Sequence, residues 1–107
     1  MKPVEIRAEA ELDIIEATLW YENEREGFGA EFALEVERSV ARIAENPLMF
    51  QEREVGMRMA KVGRFPYGLY FVDEFDKVVL FGVIHLHRDP EVWKHRRCRR
   101  QPPSVGK

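Results

Sequence analysis

The hydrophobic pattern of this sequence changes its period once, near Pro47, and that change constrains the fold more than any other feature. Before Pro47, apolar residues recur at intervals of three or four, as at Phe32 and Val36, which is typical of one face of an α-helix. After Pro47, apolar residues alternate with other types, as at Met57 and Met59, which is typical of a strand. The sequence therefore predicts helices first and a sheet afterwards.

Two helices are predicted before the change of period, after a short opening strand over 3–8. The first helix runs from about residue 10 to 26 and the second from about 30 to 46. Two glycines between the helices supply the backbone freedom that a tight turn needs. Asn46-Pro47 ends the second helix, because proline disfavours a helical conformation in the residue before it. With so short a connection, the helices should form an antiparallel hairpin.

Three strands are predicted after the helices, over about 55–60, 67–73 and 78–85. The last of these is almost continuously apolar, which favours a central strand covered on both faces. The predicted fold is α+β with the order β-α-α-β-β-β, in which the helical hairpin packs on a small, mostly antiparallel sheet. We expect a single domain over 1–96, followed by a flexible basic tail over 97–107.

Charge is divided unevenly along a chain of 107 residues whose net charge is −2. Residues 1–54 hold 6 Lys or Arg against 14 Asp or Glu, whereas residues 85–107 hold 7 against 2. Such a split is typical of a protein that faces a polyanion, although a basic tail can also serve solubility alone.

The sequence favours a cytoplasmic protein with no membrane association. No apolar run reaches the roughly 20 residues that cross a bilayer, and the first residues lack the apolar core of a secretory signal. A single cysteine, Cys98, has no partner for an internal disulfide, as expected in a reducing compartment.

Conventional enzyme motifs are missing from the sequence. It has no Gly-rich phosphate loop and no CxxC, HExxH or GxSxG string. His85 and His87 are two residues apart, which places both on one face of a strand, as metal ligands require. Because no third ligand lies near them, we predict no metal and no cofactor, and we interpret His85 as a hydrogen-bonded structural histidine.

Five basic residues carry the strongest suggestion of chemistry: Arg58, Lys61, Arg64, His87 and Arg88. They lie on or beside adjacent strands of the predicted sheet, so their side chains could converge at one place. Grouped cations of this kind hold phosphates and stabilise the charge that develops in phosphoryl transfer. The alternative is that each is an unrelated surface cation.

Strings throughout 3–96 match, in order, those of one known family. They are Ala10 with Asp13-Ile14 and Ala17; Trp20-Tyr21-Glu22; Gly27-Phe28-Gly29 with Phe32; Val36, Val40 and Ile43; Asn46-Pro47 with Phe50; Arg58; Phe65-Pro66-Tyr67-Gly68-Leu69-Tyr70-Phe71; and His85, Arg88-Asp89-Pro90 and Trp93. The sequence resembles the RelE/ParE toxins, in particular the ParE or plasmid-stabilisation branch. This resemblance implies the toxin of a type II toxin–antitoxin system, held in a hetero-oligomer by a cognate antitoxin that lays a helical or extended segment over it.

The resemblance leaves two targets open. ParE-like members poison DNA gyrase by binding it, without chemistry of their own. RelE-like members cut messenger RNA on the ribosome with the RNA 2′-hydroxyl as nucleophile, which requires cations and groups that move protons. In that case Arg58, Lys61 and Arg64, with His87 or Arg88, would be the catalytic residues.

A C-terminal tyrosine, which RelE-like chains use, is absent here. Trp93 stands in that region, and an indole cannot exchange a proton at neutral pH. We therefore favour the gyrase target, with His85, Arg88, Trp93 and Arg96 as target-binding residues, and keep the ribonuclease as the alternative. An inactive member of the family and a nucleic-acid-binding module that uses the basic tail are two further alternatives.

Overall fold

The computed structural model describes residues 1–54 and 56–88 of the chain. Its elements are β1 (Val4–Ile6), α1 (Ala8–Glu24), α2 (Phe28–Glu45), a 3₁₀ turn (Pro47–Met49), β2 (Glu52–Glu54), β3 (Met57–Lys61), β4 (Tyr67–Asp73) and β5 (Val78–His85). The predicted α+β architecture is confirmed, with both helices starting about two residues earlier than expected. Trp93, Arg96 and the predicted tail over 97–107 lie outside the described residues.

The five strands form one sheet in the order β1-β5-β4-β3-β2. Strands β2 to β5 make an antiparallel meander, and β1 pairs in parallel with β5, from Val4 opposite Val78 to Ile6 opposite Leu80. Strand β2 was not predicted. All three of its residues are charged and exposed, so this strand has no apolar alternation that could reveal it.

The helical hairpin covers one face of the sheet and encloses the main core. Helix α2 supplies the larger share, with Phe32, Val36 and Ile43 buried on one side of the helix. Ser39 is buried among them, and its Oγ donates a hydrogen bond to the Lys61 carbonyl oxygen at 3.3 Å. This bond ties α2 to the end of β3 and satisfies a polar group in the core.

The opposite face of the sheet is apolar as well. Met57, Tyr70, Val79, Phe81 and Ile84 form a second buried cluster there. The central strand β5 contributes to both clusters, which confirms the prediction that it is covered on both faces. Within the described residues, neither helix is long and apolar enough to cross a membrane.

The two helices approach closely where the hairpin turns. A Cβ atom added at Gly29 would lie 2.6 Å from the Thr18 carbonyl oxygen, so only glycine fits there. The Glu22 carboxylate of α1 accepts hydrogen bonds from the backbone N–H groups of Gly27 and Gly29, both at 3.0 Å. A carboxylate at the start of α2 also complements the helix dipole, so Glu22 fixes the geometry of the turn.

Candidate functional site

Three strand ends meet at one end of the sheet, beside the turn of the helical hairpin. Strand β3 ends at Lys61, β4 begins at Tyr67, and β5 ends at His85, which lies opposite Tyr67 in the register. The Leu86 N–H then donates to the Pro66 carbonyl oxygen at 2.9 Å and holds the two strand ends together. Side chains from distant parts of the sequence therefore gather at this end.

Two pockets of about 450 Å³ each open side by side here and share Tyr21, Phe28 and Pro66 as lining residues. The other lining residues are Arg25, Glu31, Arg64 and Phe65 in one pocket and Trp20, Glu24, His85 and Arg88 in the other. We call these two pockets together the aromatic groove. Aromatic rings form the walls of the groove, and Arg25, Arg64 and Arg88 lie at its rim.

Tyr21 of α1 is the centre of the ring packing beneath the aromatic groove. Its ring centroid lies 5.0 Å from that of Phe28, 5.2 Å from that of Phe32 and 4.9 Å from that of Phe65. The pairs with Phe28 and Phe65 are edge-to-face, which is a favoured arrangement of aromatic rings. Because the rings come from α1, α2 and the β3–β4 turn, Tyr21 joins three parts of the fold in one rigid floor.

A bulge in β5 brings His85 to the aromatic groove. Tyr70 pairs with Gly82 and Phe71 with Leu80, so β5 has one extra residue between these two pairs. The extra residue reverses the alternation of faces along the rest of the strand. His85 thereby lies on the same side as Tyr67, with ring centroids 5.1 Å apart.

The turn after β5 folds back onto His85 and positions Arg88. His85 Nδ1 accepts hydrogen bonds from the backbone N–H groups of His87 and Arg88, both at 3.1 Å. In a neutral ring this arrangement assigns the proton to Nε2. Arg88 Nη2 in turn donates to the Tyr67 hydroxyl at 3.1 Å. His85, Arg88 and Tyr67 therefore form one connected polar group beside the ring floor.

The electrostatic surroundings of Tyr21 keep its hydroxyl protonated. Burial raises the pKa of Tyr21 above its usual value, the nearby Tyr67 raises it further, and the positive charge of Arg88 lowers it by a smaller amount. At neutral pH the Tyr21 hydroxyl is therefore a hydrogen-bond donor and not a base.

We expect stability to fall at alkaline pH because of Tyr21. The folded chain binds the Tyr21 proton more tightly than the unfolded chain, whose tyrosine pKa is about 10. The contribution of protonated Tyr21 to the free energy of unfolding is fully present below pH about 10, and it is lost as the pH rises through the raised pKa. Urea unfolding between pH 8 and pH 11.5 measures it, with Tyr21→Phe as the variant that lacks the group. An equal alkaline decline in both proteins would contradict this assignment.

A family model decides which class of protein carries this groove. The model of the ParE toxin of the type II toxin–antitoxin system parDE matches residues 4–90. The chain belongs to the ParE toxin family. The match spans every described element, and it confirms the resemblance that the sequence strings indicated.

One solved structure shows the same fold in a related system. It is described as the chromosomal ParDE toxin–antitoxin system from P. aeruginosa, and it is similar to this toxin with a TM-score of 0.59. The likeness covers 79% of this chain and 96% of the other, at 14% sequence identity. A comparison with curated proteins found no match.

Arg58 of the toxin lies away from the aromatic groove. Its Nη1 donates a hydrogen bond to the Phe50 carbonyl oxygen at 2.6 Å, next to the edge strand β2. It also lies three residues before Lys61, or about 10 Å along β3. As alternation predicts, its side chain is on the opposite face from Met57 and Met59.

The ammonium group of Lys61 is bonded within its own turn. Lys61 Nζ donates to the carbonyl oxygens of Gly63, at 2.9 Å, and Phe65, at 3.1 Å. These bonds close the β3–β4 turn, in which Gly63 has a positive φ of 50°. Lys61 therefore stabilises the loop that presents Arg64 and Phe65.

Three of the predicted site residues line the aromatic groove. Arg64 lines one pocket, and His85 and Arg88 line the other. The Arg64 guanidinium forms no hydrogen bond or ion pair with any residue of 1–54 and 56–88. His87 is exposed and packs its ring 5.8 Å from that of His85, but it lines neither pocket.

The helical hairpin also contributes to this site, which was not predicted. Arg25 lines the aromatic groove, where its guanidinium lies 4.4 Å from the centroid of the Phe28 ring and 3.6 Å from the Glu31 carboxylate. Tyr21 belongs both to the buried core and to the lining of the groove. The sequence did contain one signal of this contribution, because Arg25 is a basic residue beside the glycine turn. The fold places that turn next to the strand ends, and Arg25 with it.

His85 and His87 do not belong to a metal centre in the part of the chain that the structure describes. In 1–54 and 56–88, no three His, Cys, Asp or Glu side chains are grouped closely enough to hold a metal ion. The observed role of His85 in this region is to accept backbone hydrogen bonds, which agrees with a structural histidine.

Proposed function

We propose that this toxin acts in the cytoplasm by binding DNA gyrase, without chemistry of its own, and that a cognate antitoxin neutralises it by binding. The observation that carries this proposal is the position of Arg58 and Lys61. A nuclease would gather both around one phosphate, whereas here each donates to backbone carbonyl oxygens of its own chain. Membership in the ParE family supports the same choice.

The aromatic groove has the composition of a protein-binding surface. Tyrosine, tryptophan and arginine are enriched among the residues that dominate binding energy in interfaces. Here Trp20 and Tyr21 stand beside Arg25, Arg64 and Arg88. Rigid rings lose little conformational entropy on binding, and guanidinium groups pair with carboxylates of the partner.

Cleavage of messenger RNA is the second candidate, and one observation favours it. His85, Arg88 and Tyr67 form a connected polar group, and histidine is the side chain that exchanges protons most readily near neutral pH. The groove would then hold a base between its rings and a phosphate at Arg88. This candidate ranks second because Arg58 and Lys61 lie outside that arrangement.

A purified system tests the two functions together. The toxin is added to DNA gyrase in a supercoiling assay and, separately, to ribosomes carrying a defined messenger RNA. We expect gyrase inhibition that weakens about 10-fold or more in Arg64→Ala and Arg88→Ala, since arginine is a frequent interface anchor. Arg58→Ala is the matched control, because it removes the same charge outside the groove and should inhibit like the unmodified toxin.

The opposite pattern would overturn the proposal. Intact gyrase activity with cut messenger RNA would establish the ribonuclease, and loss of cleavage in Arg88→Ala would locate it at the groove. If Arg58→Ala and Arg64→Ala weaken gyrase inhibition equally, the aromatic groove is not the surface that binds gyrase. Addition of the antitoxin should restore gyrase activity.

A further inference from the structure

Helix α1 carries a row of apolar side chains on the face that points away from the core. Leu12, Ile15 and Leu19 are 57%, 52% and 60% exposed. Their spacing of three and four residues places them on one face of the helix, in consecutive turns. The buried residues of α1, such as Ala10 and Ala17, lie on the other face. We call Leu12, Ile15 and Leu19 the α1 stripe.

Helix α2 shows that this row is not the ordinary scatter of apolar residues on a surface. The two helices have similar lengths, 17 and 18 residues. In α2, all of which the structure describes, Leu34 is the only exposed large apolar side chain. Single exposed apolar residues are common, whereas a contiguous row marks a surface that binds something.

The charge around the α1 stripe is negative throughout the helix. Helix α1 contains six Asp or Glu residues and no Lys or Arg. With about 100° between successive residues, Glu11 lies on one side of the stripe and Glu16 on the other. Both are exposed, and neither carboxylate forms a hydrogen bond or ion pair within 1–54 and 56–88. Among the described residues, the stripe is thus an apolar strip between two carboxylates that have no basic partner.

We propose that the α1 stripe binds a basic amphipathic helix of a partner protein. Apolar side chains of the partner would cover Leu12, Ile15 and Leu19, while its Lys or Arg residues would pair with Glu11 and Glu16. A second copy of this chain is a poor occupant, because pairing the same face would bring carboxylates together. An anionic membrane surface is repelled for the same reason. This surface is separate from the aromatic groove, so the proposal goes beyond the proposed function.

Calorimetry with a defined peptide tests the proposal on the full chain. The probe is a synthetic 18-residue helix with leucine on one face and lysine on the others, compared with a counterpart that has glutamate in place of lysine. We expect the lysine peptide alone to bind. Affinity should fall about tenfold in Ile15→Ser/Leu19→Ser and several-fold in Glu11→Gln/Glu16→Gln. Leu34→Ser on α2 is the matched control and should bind like the unmodified chain.

Three results would overturn the proposal. Unchanged affinity in Ile15→Ser/Leu19→Ser would show that the lysine peptide binds elsewhere, by charge alone. If the glutamate peptide binds as tightly as the lysine peptide, Glu11 and Glu16 do not pair with basic residues of the partner. Sedimentation of the chain alone as a dimer that Ile15→Ser/Leu19→Ser dissociates would assign the stripe to a second copy. None of these outcomes depends on gyrase inhibition.

Discussion

Tyr21→Ala is expected to lower the free energy of unfolding by about 3–5 kcal/mol, the range for removing a large aromatic ring from a core. Tyr21 is only 7% exposed, and its ring contacts those of Phe28, Phe32 and Phe65. These contacts hold α1, α2 and the β3–β4 turn together, so no single neighbour can move to fill the space. Small domains are stable by only about 5–15 kcal/mol, so this variant should lie close to unfolding.

Urea or thermal unfolding measures this loss, and Tyr21→Phe provides the control. The phenylalanine keeps the ring and removes only the hydroxyl, so its effect should remain under about 1.5 kcal/mol. If Tyr21→Ala costs no more than Tyr21→Phe, the ring packing is not what supports the floor of the aromatic groove. If Tyr21→Phe by itself unfolds the chain, the hydroxyl contributes more to stability than the ring does.

Asp13→Ala is the second large effect that we expect, at about 2 kcal/mol. Asp13 Oδ2 accepts a hydrogen bond from the backbone N–H of Val83 at 3.0 Å. Strand β1 pairs with β5 only as far as Leu80, so Asp13 of α1 takes the place of a strand neighbour beyond that point. Val83 is only 2% exposed, and loss of the carboxylate would leave its N–H buried without that acceptor.

Asp13→Asn separates the hydrogen bond from the charge. The amide keeps an acceptor oxygen of similar shape, so we expect a smaller loss than in Asp13→Ala, because bonds to charged groups are about twice as strong. Urea unfolding gives the free energies, and hydrogen exchange at the Val83 amide reports the bond itself. A free energy of unfolding within 0.5 kcal/mol of the unmodified chain in Asp13→Ala, on the scale of neutral surface substitutions, would refute this role.

Most of the fold could be predicted because the hydrophobic pattern carries it. The switch of period at Pro47 separated helices from strands, and β4 and β5 have the predicted bounds. Strand β2 could not be predicted, because a charged edge strand resembles a loop in sequence. In the sequence, Asp13 cannot be distinguished from the other acidic residues of α1, whereas in the structure it is bonded to the sheet. Only the pairing of β1 with β5, which ends at Leu80, shows that the Val83 N–H needs an acceptor from α1.

The candidate site was harder to predict than the fold. Sequence reasoning found Arg64, His85 and Arg88 because basic residues beside strands are visible in the sequence. It could not place them, because the bulge in β5 reverses the face on which His85 lies. It also could not see that Arg25 reaches the same end, since that requires the packing of the hairpin against the β3–β4 turn.

The most direct test of the central claim is to induce the toxin without its antitoxin and to pulse-label DNA and protein synthesis separately. We predict that DNA synthesis stops first, with double-strand breaks, while translation and messenger RNA are still intact. Early collapse of translation with cut messages would contradict the gyrase function and establish the ribonuclease. Normal growth would contradict both and identify a member of the family that no longer acts as a toxin.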